Sequence, residues 1–237
     1  MSETLLQVQD VHAGYGRMEV LRGVSLQVQA GEMVALLGSN GAGKTTLNTV
    51  MCGLLPLRSG QVRFDGQDLT GQHYRRVVEA GLILVPEGRK IFPNLDIREN
   101  LLLGAYARAR DHRSANLERV FELFPRLRER SQQLAGTLSG GEQFCASLSL
   151  ALGLSDVVLS NASGLSIDTF FIDEGFGSLD SGRLSQVMQM LDGLKADGRA
   201  VGLISHVEEL KTAITERIDV RQDESTNMST LSVNWMK

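Results

Sequence analysis

The sequence has no apolar run long enough to cross a membrane, and it contains very little cysteine. Its 237 residues include two cysteines, one tryptophan and four prolines. A spanning helix needs roughly 18 or more apolar residues in succession, and no stretch approaches that length. Cys52 and Cys145 are far apart and each lies in an apolar stretch, which favours two buried free thiols over a disulfide or a metal site.

A surplus of basic residues is also missing. The formal net charge is −4, so the chain as a whole does not attract nucleic acid, and we expect no nucleic-acid partner. Met1 and the residues after it lack the pattern of a signal peptide. We therefore expect a cytoplasmic protein with at most a peripheral role at a membrane.

Residues 38–45 fit the phosphate-loop pattern G-x-x-x-x-G-K-[ST] at every fixed position. An apolar run before them predicts a buried strand, and residues 46–51 can open a helix. Glycines let successive N–H groups face phosphate oxygens, and the helix start adds the positive end of its dipole. We expect Lys44 to reach the β and γ phosphates of a nucleotide and Thr45 to ligate Mg²⁺; a glycine-rich turn without a ligand is the alternative. The residues expected to hold the nucleotide are Ser39, Asn40, Gly41, Ala42, Gly43, Lys44, Thr45 and Thr46.

Carboxylates follow two apolar runs that are typical of buried strands. One run ends at Asp173 and Glu174, and the other is followed by Glu87. Ligands of open α/β sheets bind at these strand ends, and adjacent carboxylates are costly unless positive charge, such as Mg²⁺, lies nearby. We expect Asp173 to hold Mg²⁺, directly or through water, and Glu174 to act as general base on the attacking water. Glu87 is placed for metal or water contact, with a surface glutamate as the alternative.

Three further candidate sites have weaker support in the sequence. Ser139, Gly140 and Gly141 precede an apolar helix and predict a second anion site that caps the γ-phosphate of a neighbouring copy; an ordinary serine cap is the alternative. Tyr15, between two glycines, could stack on adenine or pack on the sheet as a turn aromatic. His206 follows a buried strand, where it could contact the γ-phosphate, although a lone histidine is usually structural.

Periodicity predicts the fold around these residues. Alternating apolar and polar residues over 6–11 and 24–28 predict antiparallel strands with one solvated face. Residues 95–134 are typical of helices, and Pro125 within them requires at least two. Residues 217–235 indicate a hairpin.

The motifs as a set resemble the ABC ATPase superfamily. They are, in order, the phosphate loop, residues 138–142, Asp173 with Glu174, Asp180, and His206. The resemblance implies an α/β fold, a P-loop NTPase core with an N-terminal antiparallel β subdomain and an inserted α-helical subdomain. It also implies ATP and Mg²⁺ as cofactors, ATP hydrolysis, and a place for Asp180 among the nucleotide-binding residues. We expect one nucleotide-binding domain over residues 1–237, with the helical subdomain at about 95–150 and the C-terminal hairpin at about 215–235.

Residues 5–143 are similar to ATP-binding subunits of branched-chain amino acid importers. The motifs that carry this likeness are residues 13–16, 36–46, 85–89 and 91–95. In that family Glu87 stands where most relatives carry the glutamine of the Q-loop, Tyr15 stacks on adenine, and the segment after Glu87 faces the membrane partner.

Residues 138–220 instead resemble the C-terminal ATPase lobe of the bacterial exonuclease subunit that processes DNA ends, a coiled-coil DNA-repair ATPase. Gly175 replaces the proline that a transporter subunit would show, and the interval from Ser139 to Asp173 is longer than transporters use. The two resemblances meet at residues 138–143, a motif that both families share, and we hypothesise a hybrid of the two.

The combined features favour an ATP-binding and ATP-hydrolysing subunit of an ABC transporter for branched-chain or hydrophobic amino acid import. Its partners would be membrane permease subunits and a second ATP-binding subunit, identical or different, on the inner face of the cell membrane. One alternative is a DNA-end-processing repair ATPase, although residues 47–137 show no sustained heptads. The other is a nucleotide-binding module that couples to nothing.

Overall fold

The computed structural model describes residues 4–39, 41–88, 90–104, 113–159, 169–196, 199–205, 214, 216–223 and 228–235. The chain divides into two compact units. The first comprises Met1–Leu84, Asp168–Glu174 and Gly193–Lys237, and the second comprises Val85–Ile167 and Gly175–Asp192.

A mixed sheet forms the first unit. Its strands are β1 (Thr4–Tyr15), β2 (Met18–Gln29), β3 (Met33–Gly38), β4 (Leu57–Phe64), β5 (Gln67–Asp68), β6 (Leu82–Val85), β7 (Thr169–Asp173), β8 (Ala200–Ile204), β9 (Glu216–Asp223) and β10 (Met228–Trp235). Their order across the sheet is β5-β4-β1-β2-β10-β9-β3-β8-β7-β6. Strands β9, β3, β8 and β7 run parallel, whereas β2, β1, β4 and β5 pair antiparallel. An antiparallel N-terminal part thus adjoins a parallel part, as the sequence predicts.

The two parts of the sheet differ in burial for a physical reason. Buried and more exposed residues alternate along much of β1. Its register with β2 places Val8 opposite Leu26 and, beyond a bulge, Val11 opposite Val24. Strands β7 and β8 are buried along their whole length, as is usual for parallel strands that are covered on both faces.

The core of the first unit lies between the sheet and two helices, α1 (Lys44–Met51) and α2 (Tyr74–Ala80). Leu47 and Met51 of α1 pack in one cluster with Leu36 of β3 and Phe171 of β7. This packing fixes the start of α1, and with it the phosphate loop, relative to the ends of β3 and β7.

Helices form most of the second unit. They are α3 (Ile97–Gly104), α4 (Arg113–Leu123), α5 (Pro125–Glu129), α6 (Gly140–Leu159) and α7 (Ser181–Ala196), with short 3₁₀ helices at Ala135–Thr137 and Phe176–Ser178. Helix α7 continues into the first unit. Pro125 begins α5, a position where its missing N–H costs nothing. Helix α3 packs closely on α6, since a Cβ on Gly104 would lie 2.5 Å from the carbonyl oxygen of Leu150. Across the described ranges, no helix has the length and apolarity needed to cross a bilayer.

Candidate functional site

The phosphate loop connects β3 to α1 in the first unit. Gly41 and Gly43 have φ of 84° and 96°, a left-handed conformation that favours glycine. Gly38 is required for a different reason, because a Cβ there would lie 2.3 Å from the carbonyl oxygen of Val220. The amide of Ala42 donates to the carbonyl of Ser39 at 3.2 Å, which closes the loop above the N-terminus of α1. The result is the tight strand-loop-helix turn on which phosphate binding depends.

Lys44 is held inside this loop. The residue is only 7% exposed, and its Nζ donates to the carbonyl oxygens of Gly38 at 2.8 Å and of Ser39 at 2.9 Å. Burial lowers the pKa of Lys44, and the nearby charges of Glu174 and Asp173 partly oppose that effect. The structure therefore brings together three residues that the sequence predicts as one site: Lys44, Asp173 and Glu174.

Asp173 and Glu174 occupy the carboxyl end of β7. Asp173 is 3% exposed and lies opposite Ile204 of β8. Glu174 has φ of 57°, and its amide donates to the carbonyl of Ile204 at 3.0 Å. A left-handed conformation costs a non-glycine residue about 1–2 kcal/mol. Such strained residues cluster at functional sites, so this one is consistent with a precise orientation for the Glu174 side chain.

The residues at this end of the sheet fit a magnesium-nucleotide. Two carboxylates face one buried ammonium, so the set has a net negative charge that a divalent cation would offset. Thr45, exposed in the first turn of α1, and Asp173 carry oxygen atoms of the kind that Mg²⁺ prefers as ligands. Among the side chains that the structure describes, no group of three or more His, Cys, Asp or Glu could hold a metal ion alone. A cation here would therefore complete its shell with phosphate oxygens and water.

Other predicted residues of the first unit have simpler environments. Tyr15 lies where β1 turns into β2 and is 49% exposed, so its ring has a face available for stacking. The turn is anchored by Arg58, which donates to the carbonyl of Gly16 at 2.8 Å. Thr46 is buried. Asn40 and His206 lie outside the described residues.

In the second unit, Ser139 precedes α6 in a capping arrangement. Its amide and its hydroxyl both donate to Oε2 of Glu142, at 2.9 and 2.8 Å. Glu142 accepts both bonds, and the three-residue separation follows the capping-box spacing S-x-x-E, of which the structure shows the half made by the glutamate. A Cβ on Gly141 would lie 3.1 Å from the carbonyl oxygen of Ser178, so glycine suits that crowded position. The second anion site expected at Ser139, Gly140 and Gly141 stays a prediction.

Glu142 also binds two arginines that the sequence alone does not single out. Its Oε1 accepts a hydrogen bond from Nη1 of Arg130 and lies 3.5 Å from Nη2 of Arg183. Burial acts to raise the pKa of the Glu142 carboxyl, but the bonds from Ser139 and the charges of Arg130 and Arg183 outweigh it and hold that pKa below its ordinary value. Glu142 therefore links the start of α6 to Arg130, which precedes the helix in sequence, and to Arg183, which follows it.

Asp180 and Glu87 complete the predicted set. Asp180 is exposed and caps α7, with Oδ1 accepting the amide of Arg183 at 2.9 Å. Glu87 is exposed in the turn that follows β6. The nucleotide-binding role of Asp180 and the metal-contact role of Glu87 stay predictions.

Comparison with known proteins gives two kinds of relative. The family described as "ABC transporter" matches residues 21–159. The high-affinity branched-chain amino acid transport ATP-binding protein BraG of Pseudomonas aeruginosa is 32% identical over 219 residues, which cover 92% of this chain and 89% of that protein. One subunit of the nuclease SbcCD of Vibrio cholerae is 60% identical over 84 residues, which cover 35% of this chain and only 8% of that much longer protein.

A solved structure gives the same assignment for the fold. The protein described as "Structure of ATP binding subunit of ABC transporter" aligns with a TM-score of 0.78 and 25% identity, over 97% of this chain and 90% of that one. The predicted fold class and the two predicted resemblances are confirmed.

Proposed function

We propose that this chain, which belongs to the ABC transporter family, is the ATP-hydrolysing subunit of an importer for branched-chain or other hydrophobic amino acids. Family and fold make it an ABC ATPase that binds nucleotide. The observation that carries the amino acid proposal is the 32% identity to a branched-chain amino acid transport ATP-binding protein over 92% of the chain.

The hydrolytic roles follow from the first unit. Lys44 and the loop amides bind the phosphates, Thr45 and Asp173 hold Mg²⁺, and Glu174 takes the proton of the attacking water. The burial of Asp173, which restricts its carboxylate, and the left-handed backbone of Glu174, which constrains the position of its side chain, support this division. Tyr15 stacks on the adenine. His206 contacts the γ-phosphate, and Glu87 takes the place of the Q-loop glutamine.

The second unit supplies the contacts between subunits. Ser139, Gly140 and Gly141 of one copy cap the γ-phosphate bound by a second ATP-binding subunit, identical or different. Glu142 supports that role because its carboxylate accepts hydrogen bonds from both the amide and the hydroxyl of Ser139. These bonds hold Ser139 in place just before α6. Closure of two such subunits on two ATP molecules would drive the transport cycle.

An exposed apolar surface in the second unit fits a permease subunit at the inner face of the membrane. Phe92 and Leu134 are 54% and 51% exposed. The segments that carry them are tied together, since the amide of Ala135 donates to the carbonyl of Leu95 at 2.9 Å and Gly136 donates to Pro93 at 3.1 Å. Contiguous exposed apolar patches mark protein interaction sites, and we propose that Phe92 and Leu134 belong to one.

A DNA-end-processing ATPase is the second candidate, favoured by the 60% identity to a nuclease subunit over 84 residues. Two observations weigh against it: the match covers only 8% of that protein's length, and the net charge of this chain is −4. Stimulation of hydrolysis separates the two candidates. Importer function predicts a response to permease subunits in liposomes, whereas the repair function predicts a response to linear DNA.

The deciding experiment is size-exclusion chromatography of Glu174→Gln with and without Mg²⁺-ATP. We expect an ATP-dependent shift from monomer to dimer, because the slowed enzyme would hold ATP between two subunits. Lys44→Ala introduced into the same variant should abolish the shift. A protein that binds ATP but stays monomeric would contradict closure with a second copy and would favour an uncoupled module.

A further inference from the structure

Asn48 is a polar residue in the apolar core of the first unit. It is 0% exposed, and in the part of the chain that the structure describes neither its amide nitrogen nor its amide oxygen has a hydrogen-bond partner. Its neighbours Leu47 and Met51 belong to the core cluster. Buried amides are almost always hydrogen-bonded, so an unpaired one calls for an explanation.

The position of Asn48 on its helix suggests where that explanation lies. Lys44, Asn48 and Cys52 are spaced i, i+4 and i+8, and residues four apart share one face of a helix. The amide of Cys52 donates to the carbonyl of Asn48 at 3.0 Å, so the helical path extends to Cys52. One row therefore runs from the phosphate loop through Asn48 into the core.

The strand that packs against α1 presents Asp173 on the facing side. Successive residues of a strand point to opposite faces, so Thr169, Phe171 and Asp173 share one face of β7. Phe171 lies in the same core cluster as Leu47, which identifies this face as the one turned toward α1. Asp173 ends the face at the carboxyl end of the strand.

Electrostatics agree with this placement. The charge of Asp173 acts on Lys44 at one end of the helical row. At the other end, burial raises the pKa of Cys52 to about 12, with the charge of Asp173 adding to the effect. Asn48 lies between these two residues, so its amide dipole is in the field of the same carboxylate.

We propose that Asn48 is a positioning residue for Asp173: its side-chain NH₂ donates to the Asp173 carboxylate, through a rotation of the amide or through one buried water, and orients that carboxylate toward the Mg²⁺ of the nucleotide. A buried water needs two to four polar partners, and Asn48 with Asp173 supplies them. The inference rests on the proposed function in one respect, since it takes Asp173 as the carboxylate that holds the metal. Partners that orient a ligating carboxylate typically change metal affinity 10- to 100-fold when removed.

The first test measures metal binding without turnover. Asn48→Leu removes the amide and keeps a similar volume, and Met51→Leu is the matched control on the same buried face of α1. We expect Mn²⁺, followed by electron paramagnetic resonance with ATP present, to bind Asn48→Leu at least tenfold more weakly than wild type or the control. ATP binding in EDTA should be unchanged. Metal affinity equal to wild type in Asn48→Leu would overturn the proposal.

The second test needs neither metal nor nucleotide. The free energies of unfolding of wild type, Asn48→Leu, Asp173→Asn and the double variant form a double-mutant cycle. We expect non-additive shifts, because the two side chains interact; strictly additive shifts would contradict the contact. If wild-type protein bound no Mn²⁺-ATP, the proposed function would fail while this cycle still decided the Asn48 contact. If Asn48→Leu did not fold, Asn48→Ser against Asn48→Ala in both measurements replaces it, since only serine keeps a donor.

Discussion

Gly175 lies so close to Phe144 that a Cβ atom on residue 175 would be 2.4 Å from Cδ2 of the Phe144 ring. Gly175 has φ of 103°, a value that proline cannot adopt because its ring fixes φ near −65°. The Phe144 ring in turn packs on Phe176, with centroids 5.1 Å apart. The departure from the transporter sequence after Glu174 is therefore a requirement of the backbone and of the aromatic pair beside it.

Gly175→Ala should destabilise the protein by about 2–5 kcal/mol. Left-handed alanine costs about 1–2 kcal/mol, and forcing a methyl group into a packed core costs about 1–3 kcal/mol. Urea unfolding measures the loss. Gly193→Ala is the control, because residue 193 lies within α7 with open space around its Cβ, and we expect it to stabilise by up to about 1 kcal/mol. A Gly175→Ala protein as stable as wild type would refute the close contact with Phe144.

Glu142→Gln should lower stability at pH 7 by about 1–3 kcal/mol, since the carboxylate accepts bonds from Ser139 and two arginines. The pKa of Glu142 is below its ordinary value of 4.5, so its stabilising effect is present above pH 4.5 and is lost as pH falls through the folded-state pKa. The gap between wild type and variant should therefore shrink in acid. Glu129→Gln, at an exposed position, should show little change at either pH.

Cys52 should make alkaline stability depend on pH. The folded protein keeps the thiol proton up to a pKa of about 12, whereas an exposed thiol loses it near 9.0. The folded state binds the proton more tightly, so this contribution is complete below pH 9 and is lost as pH rises toward 12. Between these values, the free energy of unfolding should fall with pH more steeply than in Cys52→Ala, by about 1.4 kcal/mol per unit. Equal slopes for wild type and Cys52→Ala would refute the raised pKa of Cys52. Met51→Leu is the control and should keep the wild-type slope.

Glu174→Gln should keep ATP binding and lower turnover by about 10²-fold or more, because it removes the general base and keeps the side-chain shape. Phosphate release and fluorescent-nucleotide binding, measured on the same preparation, separate the two effects. Asp192→Asn, an exposed residue of α7, is the control that should retain full turnover. Unchanged hydrolysis in Glu174→Gln would assign the base elsewhere.

The phosphate loop could be predicted because its strand, glycines and lysine are contiguous in sequence. The bonds from Lys44 to the carbonyls of Gly38 and Ser39 could not, since they depend on the path of the loop in space. Glu174 could be chosen as a base from its place after a buried strand. Its left-handed backbone has no local sequence signal, because such a conformation is usually reserved for glycine.

The environments of Glu142 and Asn48 are likewise only partly predictable from the sequence. The S-x-x-E spacing at Ser139 was available as a capping signal. Arg130 and Arg183 are 12 and 41 residues from Glu142, and no periodicity connects them to it. Asn48 could be noticed as a polar residue between Leu47 and Met51 in α1, but its lack of a partner among the described residues depends on side-chain positions alone.

The two ion pairs of Glu142 bear on where chimeras of related ATPases can be joined. Arg130 precedes the shared motif, Arg183 follows it, and both reach the same carboxylate. A chimera joined inside residues 138–143 would therefore bring Glu142 together with one arginine from each side of the junction. Chimeras of related ATPases cut at this motif should tolerate foreign C-terminal halves that carry an arginine equivalent to Arg183, and a library of such fusions could be screened for that single residue.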